Sequence, residues 1–100
     1  MLEGSIARRY SRALFEIAQE RRIIDQLLAE LHVTVKAIGA DPLVRFKFEN
    51  QMISPADKKS AVNRVLEGKV SPITRNFINI LIDKGREQFF KDVVAEFGRL

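Results

Sequence analysis

Residues 53–85 read ISPADKKSAVNRVLEGKVSPITRNFINILIDKG, and this stretch carries two complete sets of helix punctuation. Ser54-Pro55 and Ser71-Pro72 each place a hydroxyl side chain directly before a proline. The serine oxygen can accept a bond from an orphan amide of the first turn. Proline at the first helical position gives up an N–H that would have had no partner. Gly68 and Gly85 then close two apolar-periodic runs, as a left-handed residue just past a helix end does. Asp57, three residues after Ser54, reads as the acidic member of the first cap.

Working outward, Asp41-Pro42 repeats the start signal, so all three prolines of the chain begin helices. Gly39 reads as the stop of the run before it. With the opening stretch and the tail, the punctuation predicts six helices, at about residues 5–20, 23–38, 42–49, 55–67, 72–84 and 87–98. The connections between them are short, as in a compact bundle. No stretch alternates at period two for long enough to make a strand. The fold expected is all-α, a compact six-helix bundle forming a single domain over 1–100.

Periodicity separates these helices into two kinds. Ile24, Leu27, Leu28, Leu31, Val35 and Ile38 cluster on an arc of about 100°. The fourth helix (Ala61, Val62, Val65, Leu66) and the sixth (Phe89, Phe90, Val93, Val94, Phe97) span about 140°. These are one-sided helices with one face for a core. The first, SIARRYSRALFEIAQE over residues 5–20, is different. Ile6, Tyr10, Ala13 and Ile17 make one arc and Ala7, Leu14, Phe15 and Ala18 the next, together about 200°, twice the stripe a surface helix needs. The fifth repeats this, with Ile78, Leu81 and Ile82 on one arc and Ile73, Phe77 and Ile80 on the other. Two explanations are open: both helices are central and buried on two sides, or their spare arcs lie side by side as a groove for an amphipathic partner helix.

Composition narrows the function. One hundred residues with 46% hydrophobic content can bury a core without staples. There is no cysteine, which removes disulfides, thiolate metal sites and thiol catalysis, and the single histidine, His32, has no second histidine for a zinc pair. No run approaches the roughly 18 apolar residues of a membrane span. The Arg-rich amino end resembles a transit peptide, but Glu3 and Glu16 are acidic and the helix runs directly toward the next. No catalytic constellation is visible. The carboxylates Asp25, Glu30, Asp57, Glu67, Asp83, Glu87, Asp92 and Glu96 are expected at helix ends or on polar faces. The serines are capping candidates, the glycines are isolated and form no phosphate loop, and no cofactor or metal site is expected.

The rival to a protein-docking function is RNA binding of the transcription antitermination type. The formal charge is +4. Arg8, Arg9, Arg12, Arg21 and Arg22 make a basic patch around the first helix, with Lys58, Lys59 and Arg64 adding another. Against it, the residues that could stack on bases (Phe15, Phe46, Phe48, Phe89, Phe90 and Phe97) fall at core-like positions.

IARRYSRALFEIAQE resembles the first helix of the delta subunit of the bacterial F-type ATP synthase, a relative of the mitochondrial oligomycin-sensitivity-conferring protein. The pattern ISPADKKSAVNRVLEGKVSPITRNFINILIDKGR is similar to that family's middle section: an ISP-type cap, a KVSP-type cap, an NF-led apolar helix and a terminal GR. The resemblance runs nearly the full length of the chain and rests on the order of several weak motifs. Family members continue into a carboxy-terminal region, so this chain is expected to be the amino-terminal domain alone. The resemblance implies a non-catalytic stator component on the cytoplasmic face of the bacterial plasma membrane, attached peripherally and not inserted. The domain would hold the amino-terminal helix of an alpha subunit, and the further region would join the b subunits of the peripheral stalk. The family's binding surface lies on the first and fifth helices, which carries over to Tyr10, Ala13 and Ile80. Periodicity adds Ile6, Ile17, Ile73 and Phe77 on the same arcs.

Overall fold

The computed structural model describes residues 2–100, and among these all regular structure is helical. The elements are α1 (Leu2–Arg21), α2 (Ile24–Ala40), α3 (Pro42–Glu49), α4 (Pro55–Leu66), α5 (Pro72–Asp83), a 3₁₀ turn (Glu87–Phe89) and α6 (Phe90–Arg99). Two of the three proline starts are capped as the sequence implies. Asp41 Oδ1 accepts from the amides of Leu43 (3.1 Å) and Val44 (3.2 Å), and Ser54 Oγ accepts from the amide of Asp57 (3.2 Å). The Asp57 carboxylate does not return to the cap but pairs with Lys47 Nζ at 3.2 Å.

The stops divide. Gly68 and Gly85 take the left-handed conformation at φ 74° and 69°. Gly39 does not stop a helix. It lies inside α2, which runs to Ala40 and ends because Asp41 turns extended (φ −107°, ψ 109°) to cap α3. The left-handed residue after α1 is Arg22, at φ 59°, where the amide of Ile23 bonds the Ala18 carbonyl at 2.9 Å. A side chain in that conformation costs about 1 kcal/mol, which the recovered carbonyl bonds offset. The sixth helix also starts later than expected, because a 3₁₀ turn occupies Glu87–Phe89 before α6 begins at Phe90.

The core forms where the one-sided stripes converge. Leu27, Leu31, Ile38, Val62, Leu66, Phe90, Val93 and Phe97 are all buried, joined by Ile78, Leu81 and Ile82 of α5. Burying each large aliphatic side chain contributes about 1.5–3 kcal/mol. α1 packs along α6 on its small residues Ala7, Ser11 and Ala18, each nearly inaccessible, and the Phe15 and Phe97 rings meet edge-on at 5.4 Å. Small side chains let two helix axes approach closely, so this contact is tight rather than bulky. Phe48 packs edge-on to Phe90 at 6.5 Å, but Phe46, expected in the core, is 56% exposed on the outer side of α3. With only eight residues, α3 has one face on the bundle, and Val44 fills it. The whole is a slab of 34 × 34 × 19 Å.

Candidate functional site

The doubled faces of α1 and α5 are not treated alike by the fold. On α1, Ala7, Leu14 and Ala18 are no more than 3% exposed, whereas Ile6 and Tyr10 are half-buried and Ala13 and Ile17 are exposed. On α5, Ile78, Leu81 and Ile82 are sealed, Ile73 is half-buried and Ile80 is 46% exposed. Phe77 departs from the other six strip residues: it is buried at 9% and belongs to the core. Its ring meets that of Tyr10 edge-on, centroids 6.4 Å apart, and this contact joins the two spare arcs. Phe77 is thus buried, whereas Ile6, Tyr10, Ala13, Ile17, Ile73 and Ile80 stay wholly or partly accessible.

Two polar devices hold this face in place. The first is at the start of α5. Ser71, expected to cap that helix, makes no such bond. Glu30 of α2 does the work across the chain. Its Oε1 accepts from the Ser71 amide (2.9 Å), the Ser71 hydroxyl (2.7 Å) and the Thr74 hydroxyl (2.7 Å), while Gln26 donates to Oε2 at 3.0 Å. Burial alone would raise the Glu30 carboxyl, but the bonds from Gln26, Thr74 and Ser71 outweigh it and hold the group below the usual carboxylate range. A charged carboxylate at a helix N-terminus is also favoured by the aligned peptide dipoles.

The second device is at the end of α5. Past Gly85, the Arg86 amide bonds the Leu81 carbonyl at 2.8 Å and the Gly85 amide the Ile82 carbonyl at 3.0 Å, closing the helix in a six-to-one turn. That turn aims Arg86 at α1, where its Nη1 donates to the Tyr10 hydroxyl at 3.0 Å. The guanidinium carbon also lies 5.7 Å from the Tyr10 ring centroid, with that of Arg9 at 6.0 Å from the same ring. Tyr10 thus has an apolar body on Phe77 and a polar tip held from the far end of α5.

The basic surface is smaller than the sequence suggests. Arg8, Arg9, Arg12, Arg21 and Arg22 are exposed. Lys58 is not part of a patch: it is 3% exposed and paired with Glu87. Lys59 is paired with Asp83 at 2.7 Å, which leaves Arg64 as the exposed cation of that proposed trio. Glu87 lies at a helix end as expected, at the start of the 3₁₀ turn, but is buried, and Glu30, inside α2, is part-buried instead of on a solvated polar face. Among the described residues, no group of His, Cys, Asp and Glu could hold a metal ion.

Sequence reasoning missed Arg86 and Glu30. The left-handed stop at Gly85 was a usable signal for Arg86, because such a turn throws the next residue back across the bundle. No local signal existed for Glu30, which lies 41 residues from Ser71.

A family model for the ATP synthase delta (OSCP) subunit matches residues 6–100. The chain belongs to the ATP synthase delta (OSCP) family. Proteins named ATP synthase subunit delta align along it. That of Symbiobacterium thermophilum is 39% identical over 100 residues, covering 100% of this chain and 54% of the relative. That of Heliobacterium modesticaldum is 43% identical over 101 residues, with 100% and 54% covered. That of Trichodesmium erythraeum is 30% identical over 97 residues, with 97% and 53% covered. No solved structure matches. This delta-family chain spans about half the length of the curated relatives it matches. The family match opens at Ile6, so the α1 strip, the Glu30 cap and the Arg86 contact all lie inside it.

Proposed function

We propose that this chain is the part of a delta subunit that grips the catalytic head of an F-type ATP synthase, acting as a non-catalytic stator component. The grip is a seat for the amino-terminal helix of an alpha subunit, laid along Ile6, Tyr10, Ala13, Ile17, Ile73 and Ile80 with Phe77 beneath. The observation that carries this reading is the strip itself. A delta-family chain leaves an apolar band on α1 and α5 uncovered, with Ile17 at 42% and Ile80 at 46% exposure. Apolar residues left accessible on two helices that meet through the Tyr10–Phe77 contact are what the hydrophobic face of a third helix can bury. Ala13 offers a low point for close approach, and Tyr10 is an amphipathic anchor already fixed by Arg86.

The remaining length of the relatives would supply the contact with the b subunits of the peripheral stalk. Together the two contacts would keep the head from turning with the rotor while protons drive ATP synthesis. Such a subunit would sit peripherally at the cytoplasmic face of the bacterial plasma membrane. No helix among the described residues is long and apolar enough to cross a membrane.

The test is a titration of this chain with a peptide of about 20 residues from the start of an alpha subunit, long enough for several helical turns, beside a titration with structured RNA. Saturable binding of the peptide, with a gain in its helicity, is the expected result. A peptide that does not bind, or an RNA that binds more tightly, overturns the reading, the latter in favour of an antitermination-type protein.

A further inference from the structure

The connection from α5 to α6 sends three consecutive side chains to three different places. Arg86 reaches Tyr10 on α1 at 3.0 Å, Glu87 reaches Lys58 on α4, and Gln88 accepts from Gln51 Nε2, between α3 and α4, at 2.6 Å. The central contact is unusual in kind. Lys58 and Glu87 are 3% and 7% exposed, so both charges have left water. Desolvation of such a pair largely offsets its attraction, and apolar residues of similar volume often serve stability as well or better. Here the arrangement is less favourable still, because Glu87 Oε1 is buried with no hydrogen-bond partner among the described residues. In some proteins such a pair serves to fix register, since either charge displaced from its partner is heavily penalised.

The register it fixes is that of Arg86. On one side the chain direction is set by Gly85, left-handed at φ 69° and closed by the Arg86 amide on Leu81. On the other side it is set by the residue after Arg86, whose carboxylate can occupy only the place Lys58 gives it. With both neighbours pinned, the backbone of Arg86 is held where its guanidinium reaches Tyr10.

We infer that Lys58, acting through Glu87, is a positioning residue that holds Arg86 against Tyr10 and so sets the pose of the aromatic anchor in the docking strip. The consequence for binding rests on the docking function proposed above, whereas the contact itself does not need a partner to be observed. Lys58 has no hydrogen bond or ion pair to the strip among the described residues. Its effect passes through its ion pair with Glu87, one peptide unit and the Arg86–Tyr10 hydrogen bond.

Tyr10 is the sole tyrosine and the chain has no tryptophan, so its ring resonances and fluorescence report this residue without assignment ambiguity. Two variants are compared with the unaltered chain: Arg86→Gln, which removes the guanidinium, and the double replacement Lys58→Met with Glu87→Leu, which exchanges the pair for apolar side chains of similar size. The double variant is expected to keep a cooperative melt and to move the Tyr10 ring shifts toward those of Arg86→Gln. Its affinity for the alpha-subunit peptide is expected to fall about five- to tenfold, the size of a one-contact coupling. Gln51→Ala, at the exposed end of the same clamp, is expected to move the Tyr10 signals in the same direction by less.

Tyr10 signals that stay at their unaltered values in the double variant overturn the inference, as does an Arg86→Gln variant that leaves them unmoved. A double variant that fails to fold also counts against it, because the pair would then be holding the core and not the anchor. Tyr10 signals that move as expected in a chain that binds no peptide sustain the positioning role and overturn the docking function instead.

Discussion

Ala13 and Leu14 are neighbours in sequence and face different surroundings, one exposed and the other 3% accessible. An aspartate at each therefore asks a different question. Ala13→Asp leaves its carboxylate in water, so the free chain should lose no more than about 1 kcal/mol. Docking a helix over it would bury an unpaired charge, so peptide affinity should collapse. Leu14→Asp puts that charge into the core and should cost several kcal/mol or prevent folding. Thermal melts and peptide titrations on both variants separate the two effects. If Ala13→Asp melts as low as Leu14→Asp, both arcs are core and the docking proposal fails. Which of their two arcs the bundle covers was not legible in the sequence, but that the two residues lie on different arcs was, because a step of about 100° divides them. Lys58 shows the opposite case. A lysine beside Lys59 reads as solvated charge, and only the partner 29 residues away reveals that it is buried.

Among the elements, α5 depends most on a group outside itself. The first turn of α5 is served by Glu30, so Glu30→Gln should destabilise the domain by about 1–2 kcal/mol, the size of a lost charged cap. The sign of its pH dependence follows from the lowered carboxyl. A group whose folded value is depressed contributes fully above its unfolded value, about 4.3 for glutamate, and loses that contribution as pH falls through the lower folded value. The gap in melting temperature between the unaltered chain and Glu30→Gln should therefore be widest near neutrality and close in acid. A gap that widens in acid would contradict this assignment. Element boundaries were readable where the chain itself supplies the termination, as at Pro42, Pro55, Gly68 and Gly85. The start of α5 at Pro72 was readable too, although the Ser71 hydroxyl serves Glu30 and not the helix; the end of α2 at Gly39 was not readable, because a cap for the next helix ended the previous one.

For the molecule as a whole, charge and apolar surface point to different partners, and salt distinguishes them. The net charge is only +4, and two of the cations counted toward a basic patch are engaged in ion pairs. Binding governed by the apolar strip should weaken only slightly between low and moderate salt. RNA binding through 6–10 phosphate contacts would lose about 10³–10⁵ in affinity between 50 and 200 mM salt. A steep slope for the preferred partner would favour RNA. The all-α class and the stacking of one-sided helices were legible because periodicity and punctuation are local signals. Which spare arc the bundle would cover was not, since that depends on how α6 lies along α1 and on where the chain after Gly85 returns.

The Glu30 cap also bears on whether α5 can form apart from the rest of the chain. Domains generally fold as units, and the acceptor for Ser71 and Thr74 lies on α2, 41 and 44 residues earlier in the chain. An isolated fragment of residues 70–86 lacks that acceptor. At twelve residues in α5, such a fragment is also at the length where helices are marginal in water. Each half of the strip thus depends on a helix that contributes nothing to it: the α5 half on α2, and the α1 half on α6.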